Sequence, residues 1–265
     1  MLASINWNID PELFSIGFIH VRWYGLLFAA AFLLGYNILK KMFVREKLPE
    51  AQLEKLFIYL VVATVIGARL GHVFFYNWDY YSKNLGEIIM IWKGGLASHG
   101  AAFGIIIALW WYSKKVSKRN MLWVLDKVVV PIALAGFFIR IGNFMNSEII
   151  GKATDLPWAV SFLRAHIDDP LTPRHPAQLY ESFSYLFIFI VLNFIYFKTK
   201  AKEKQGTIFG LFLILVFTAR FLIEFVKENQ EAFENNMLIN MGQTLSLPFI
   251  LAGLFFVGRK VLKAN

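Results

Sequence analysis

MLWVLDKVVVPIALAGFFIR, running from Met121 to Arg140, is the stretch that decides the architecture. It matches the roughly 20 residues a helix needs to cross a 30 Å hydrocarbon core, and its only charges are Asp126, Lys127 and the closing Arg140. Working outward, comparable apolar runs place seven expected spans at about 18–39, 54–76, 94–112, 121–140, 178–197, 207–226 and 241–258. Composition agrees: 57% of the 265 residues are apolar and 17% charged, with a mean hydropathy of +0.53, whereas soluble domains are about a quarter charged. The 27 Phe, 8 Trp and 10 Tyr exclude disorder. The absence of Cys excludes disulfides, thiolate metal sites and a cysteine nucleophile. The expected fold is an all-α integral membrane protein, one polytopic domain over residues 1–265, with no internal repeat.

Basic residues alternate between connections. Segments 40–50, 113–120, 198–204 and 259–263 carry three or four Lys or Arg each, while 1–20, 77–93, 141–177 and 227–240 share only six. Positive charge stays on the cytoplasmic side, so the N-terminus is expected outside and the C-terminus in the cytoplasm. The first 20 residues hold no Lys or Arg and so lack the basic start of a signal peptide. The net charge of +9 is accordingly assigned to anionic lipid, not to nucleic acid. The longest outer connection, about 141–177, carries Pro157, Pro170, Pro173 and Pro176 and is expected to form a small extracytoplasmic head.

Charge inside an apolar span is costly and marks candidate function. Arg22, Arg69, Asp126, Lys127, Arg140, Arg220 and Glu224 fall in or at the edge of the spans. Each has a bland rival. Arg220 and Glu224, spaced i, i+4, can pair along one helix; Asp126 and Lys127 read as snorkelling boundary residues; Arg22, beside Trp23 and Tyr24, reads as an interface anchor. Arg140 has no such excuse, because it opens RIGNFMNSEIIG, Arg140 to Gly151. That run supplies a guanidinium, the carboxamides Asn143 and Asn146, the carboxylate Glu148 and the glycines Gly142 and Gly151, a set suited to holding a phosphate or phosphodiester. Three more polar or glycine-rich patches join it. They are IGARLG (Ile66 to Gly71, with Arg69), GGLASHGAAFG (Gly94 to Gly104, with His99) and RHPAQLYES (Arg174 to Ser182, with His175, Gln178, Tyr180 and Glu181).

These residues carry a resemblance. Arg140, Gly142, Asn143, Phe144, Met145, Asn146, Glu148 and Gly151 stand where the prolipoprotein diacylglyceryl transferase family has its signature, with Ile139 in place of the Gly that opens it. VRWYGLLF (21–28), GARLGHVFFY (67–76), GGLASHG (94–100), HPAQLYE (175–181), RFLIEFVKE (220–228) and MGQTLSLP (241–248) are similar to family stretches and follow in family order, with Ser98 where an aromatic residue is common. The resemblance implies a seven-span bacterial plasma-membrane enzyme. It would move the diacylglyceryl group of phosphatidylglycerol onto the lipobox cysteine of a prolipoprotein, with glycerol 1-phosphate leaving. It also implies importance for Tyr24, His99, Arg140, Asn143, Glu148, Gly151, Arg220 and Glu224.

Elementary chemistry fits those types. A thiol with a pKa near 8.5 needs a base or a positive field to attack, and a departing phosphate needs its growing charge stabilised. Arg140 and Arg220 are the expected electrophilic clamp and His99 the expected base, with Glu148 or Glu224 as alternative proton acceptors. Tyr24, Asn143 and Asn146 are expected to bind the headgroup. Glu148, Gly151, Glu224, Arg69, His175, Gln178 and Tyr180 complete the expected binding set. No P-loop or HExxH is present, and no metal or cofactor is expected. The rivals are a lipid transporter or flippase, and a noncatalytic scaffold.

Overall fold

The computed structural model describes residues 5–17, 19–229, 234 and 237–259. Lys260 and Lys263 of the last basic segment lie outside the described residues. In chain order the elements are β1 (Ile5–Trp7), β2 (Glu12–Ile16), β3 (Ile19–Arg22), α1 (Trp23–Arg45), α2 (Glu50–Phe75), the short α3 (Trp78–Tyr81), α4 (Ser98–Tyr112), α5 (Met121–Met145), β4 (Val160–Phe162), α6 (Ala177–Lys198), α7 (Thr207–Ile223) and α8 (Met241–Gly258). Six helical segments, α1, α2, α5, α6, α7 with its 3-10 extension to Val226, and α8, are long and apolar enough to cross a membrane. Large apolar side chains such as Leu33, Phe187 and Leu251 are well exposed. Such faces would be costly in water but are at home in lipid, and the chain is a multi-pass membrane protein.

The elements differ from expectation at identifiable places. Span one does not begin at residue 18: residues 19–22 pair with β2 as a hairpin, and Arg22 sits opposite Glu12 at its end. Span three is a 15-residue helix, because Gly94 and Gly95 adopt positive φ and hold the preceding chain out of the helix; it continues through a π-helical turn, Ser113–Ser117. Span four runs on to Met145 and so carries Arg140, Gly142 and Asn143 on a helix, not in a loop. Strands were not foreseen at all. β1 pairs in parallel with β4, placing Trp7 beside Phe162, and three-residue strands have no periodicity to read.

Two compact units are distinguished: residues to 35 with those from 126 onward, and residues 36–125. In the second unit, α2 and α4 approach closely through Gly67 and Gly71 against Gly100 and Gly104. A Cβ at Gly67 would lie 2.5 Å from the Gly100 carbonyl oxygen. This is small-residue packing, in which backbone contact replaces the side-chain interdigitation of a soluble core. Tyr112, fully buried, donates to the Gln52 carbonyl at 3.0 Å and ties the far ends of the same helices.

In the first unit, α7 and α8 meet through Gly210 and Gly253. Phe144, Ile150, Val160 and Phe162 form a small core beneath the 146–176 connection, with Trp7 packed against it. Asp126 and Lys127 are corrected from boundary residues to buried ones, each 3% exposed. The Asp126 carboxylate accepts from the backbone N–H of Gly206 at 2.6 Å and of Phe209 at 2.8 Å, so a side chain of α5 caps the N-terminus of α7. Gly206 has no side chain to do so. Lys127 lies over the Tyr196 ring at 5.6 Å. Replacing Asp126 by Ala leaves buried N–H donors unpaired and is expected to cost about 1–3 kcal/mol, read as thermal unfolding in detergent, without changing turnover per folded molecule.

Candidate active site

The signature run straddles a helix end. Arg140 and Asn143 lie on the last turns of α5, and the chain then leaves through Ser147 and Ile149, both in the left-handed region at φ 55 and 58. A β-branched residue there is strained by roughly 1–2 kcal/mol. The turn folds the Glu148 side chain back on the helix. Asn143 donates to Glu148 Oε1 at 2.7 Å and Asn146 donates to the same oxygen at 3.2 Å. The Glu148 carbonyl accepts from Gln178 Nε2 at 2.7 Å, which joins the turn to α6.

Arg140 stands at the centre. Its Nε lies 2.8 Å from Glu181 Oε2, and its Nη1 donates to Asn143 Oδ1 at 3.1 Å. Glu181 is wholly buried, whereas the Arg140 side chain keeps 15% of its surface exposed. Two anchors therefore aim a guanidinium whose remaining edge is reachable. Arg140 and Arg220 of α7 both act electrostatically on the Tyr185 hydroxyl. The i, i+4 pairing weighed for Arg220 is not the one adopted by its neighbour. Glu224 is held by Lys227, three residues on, at 2.8 Å.

Glycines set how closely these parts approach. A Cβ on Gly142 would lie 2.6 Å from the Tyr24 ring, and one on Gly242 would overlap the Glu224 carboxylate. Tyr24 thus packs on the α5 backbone, within electrostatic reach of both Glu148 and Arg140. Gly151 is enclosed by backbone: a Cβ there would lie 2.5 Å from the His175 carbonyl oxygen and 2.8 Å from that of Val226. Its backbone is paired with His175 on one side and bridged to Lys227 on the other. The His175 ring faces the Tyr180 hydroxyl at 3.3 Å, which in turn accepts from Trp158 at 2.8 Å. Burial pushes the His175 pKa below its ordinary value, which favours the neutral ring.

Some buried acceptors in this neighbourhood have no donor. Asn146 Oδ1, Ser147 Oγ and Gln178 Oε1 all lack a hydrogen-bond partner. Buried polar atoms are rarely left so, and a ligand's hydroxyls are one way of satisfying them.

Arg69 and His99 belong to the other unit. Arg69, 3% exposed, spends its donors on the carbonyls of Glu87, Ile88, Gly94 and Gly95 at 2.6–3.3 Å and stacks on Tyr81 at 4.9 Å. It pins the glycine turn that opens α4. His99, exposed on the first turn of α4, sits between the rings of Phe75 and Tyr76 at 5.3 and 5.6 Å. Sequence reasoning passed over Tyr185 and Lys227, and left Glu181 outside the expected binding set. The spacing of Lys227 from Glu224 was the one available signal.

Comparison with known proteins decides the family. A family model described as prolipoprotein diacylglyceryl transferase matches residues 11–259. The chain belongs to this family. A phosphatidylglycerol–prolipoprotein diacylglyceryl transferase of Tolumonas auensis is 49% identical over 248 residues, covering 94% of each chain. A protein of the same name from Chloroherpeton thalassium is 45% identical, covering 99% of this chain and 97% of the relative. One from Porphyromonas gingivalis is 44% identical, covering 98% and 95%. As a prolipoprotein diacylglyceryl transferase family member, the chain carries its signature turn on the end of α5, where Arg140, Asn143 and Glu148 form one hydrogen-bonded row.

Proposed function

We propose that this protein transfers the diacylglyceryl group of phosphatidylglycerol to the lipobox cysteine of a prolipoprotein in the bacterial inner membrane. The observation that carries this reading is the Arg140 arrangement: a half-buried guanidinium aimed by Glu181 at 2.8 Å and Asn143 at 3.1 Å, with one edge left reachable. Family membership favours it over the transporter or flippase alternative. In this reading α4 with its π turn is a seventh span, the N-terminus lies outside, the C-terminus lies in the cytoplasm, and the 146–176 connection forms the extracytoplasmic head. The chain works as a single polytopic domain.

Arg140 and Arg220 hold the lipid phosphodiester. Glycerol hydroxyls donate to Asn146 Oδ1 and Gln178 Oε1, the acceptors left without partners. Tyr24 and Glu148 close the headgroup site. The lipobox thiol loses its proton to a base, and the thiolate sulfur attacks the diacylglyceryl carbon that bears the phosphate oxygen. A C–S bond forms, the C–O bond breaks, and its electron pair leaves on glycerol 1-phosphate, whose extra charge the two guanidinium groups stabilise. The base then releases the proton to solvent or product. Neither a metal nor a redox step enters the balance.

Purified protein given phosphatidylglycerol and a lipobox peptide is expected to yield the peptide mass increased by a thioether-linked diacylglyceryl group. No product from the wild type overturns the reading. If His99 is the base that the sequence leads one to expect, His99→Gln lowers kcat by about 10²–10⁴-fold, the range of a lost general base. Full turnover in that variant moves the proton to another acceptor and leaves the function standing.

A further inference from the structure

We propose that Lys227 is a positioning residue of the anion site, holding Glu181 and Glu224 in common so that Arg140 keeps an edge free for the lipid phosphate. The inference rests on the diacylglyceryl transfer proposed above and adds a residue that reading does not use. Lys227 is 2% exposed, which is rare for a lysine and requires compensation. Its Nζ lies 2.8 Å from Glu224 Oε2 and 3.7 Å from Glu181 Oε1, while the other oxygen of Glu181 lies 2.8 Å from Arg140 Nε. One unbroken charge array thus runs from Glu224 through Lys227 and Glu181 to Arg140.

Its members depend on charge more than on hydrogen bonding. Neither oxygen of Glu181, nor Oε2 of Glu224, accepts a hydrogen bond, so the cations are what compensate these desolvated carboxylates. Arg140 and Lys227 stand against the two buried carboxylates Glu181 and Glu224. Without Lys227 those two carboxylates outnumber their cations at a site that must take an anion, and among the described residues Glu181 keeps Arg140 as its one ion-pair partner. A guanidinium drawn fully onto Glu181 presents less charge to phosphate. The backbone of Lys227 reinforces the link. It bridges Gly151, while Lys152 donates to Val226 at 2.8 Å and Glu228 to Ile150 at 3.2 Å, so the signature turn and the charge array meet at this residue.

A purely structural lysine would change how much protein folds and leave the constants of the folded fraction alone. A positioning lysine changes the affinity for the lipid. The test compares wild type, K227M and K227R in detergent, measuring KM for phosphatidylglycerol and kcat at saturating lipobox peptide, thermal unfolding, and calorimetric binding of dioctanoyl phosphatidylglycerol. K227M is expected to raise KM and weaken lipid binding on the order of 10²-fold, with kcat changed less than about fivefold. K227R is expected to stay within about threefold of wild type, because the charge is kept. A folded K227M with wild-type KM and lipid binding overturns the inference, as does a folded K227R as weak as K227M. Should K227M fail to fold, K227Q carries the same comparison. A wild type that binds lipid but makes no thioether product overturns the function reading instead, and the binding arm still decides on Lys227.

Discussion

Arg140→Ala is expected to lower kcat/KM for phosphatidylglycerol by about 10³-fold, the scale of losing a preorganised charge partner at the point where negative charge develops. Two consequences add up in that variant. The lipid phosphate loses its best-oriented guanidinium, and Glu181, wholly buried, is left with only Lys227 at 3.7 Å. An uncompensated buried carboxylate costs about 3 kcal/mol or more, so a fall in thermal stability is expected alongside the loss of rate. Arg140→Lys separates the two effects. An ammonium can neutralise Glu181 and so restore stability, yet it cannot reach Glu181, Asn143 and a phosphate together in one plane, so rate is expected to stay at least about tenfold down. Mass-spectrometric initial rates on protein quantified as folded check both. An Arg140→Ala enzyme with full rate would remove the clamp from the mechanism.

Gly100→Val is expected to destabilise the 36–125 unit by about 3 kcal/mol, since the added side chain meets backbone and no flexible neighbour can yield. A Cβ at Gly100 falls on the Gly67 carbonyl and 2.7 Å from Gly71 Cα. The helices must part, and the parting removes the contacts that seat Arg69 and the first turn of α4. Thermal unfolding in detergent reads the effect. Gly86→Ala serves as the control: nothing lies within 4 Å of the position, and a change below about 0.5 kcal/mol is expected. Equal stability of the two variants would mean that α2 and α4 do not pack backbone to backbone.

Much of the candidate site is legible in a single string because its residues lie close together along the chain. Arg140, Asn143, Asn146 and Glu148 fall within nine positions, and the short-range geometry of a helix end and a tight turn brings them into one row. Glu181 was visible as an excess polar residue at the start of α6, but no spacing rule links it to Arg140. The role of Asp126 was misread for the same reason. Near a span end a charged residue and a boundary residue look identical until the helix it caps is seen beside it. The two strand pairs escaped because runs of three to five residues carry too little pattern.

What the amino-acid order determined by itself is the class of molecule, its apolar helices and its family, because hydropathy and local motifs are properties of contiguous residues. The tertiary structure alone decided which buried charges meet: Arg140 with Glu181, Glu224 with Lys227, and Asp126 with the start of α7. In a low-dielectric interior the partner of a charge is set by a few ångströms of separation between helices, and that distance is written in packing, not in sequence spacing.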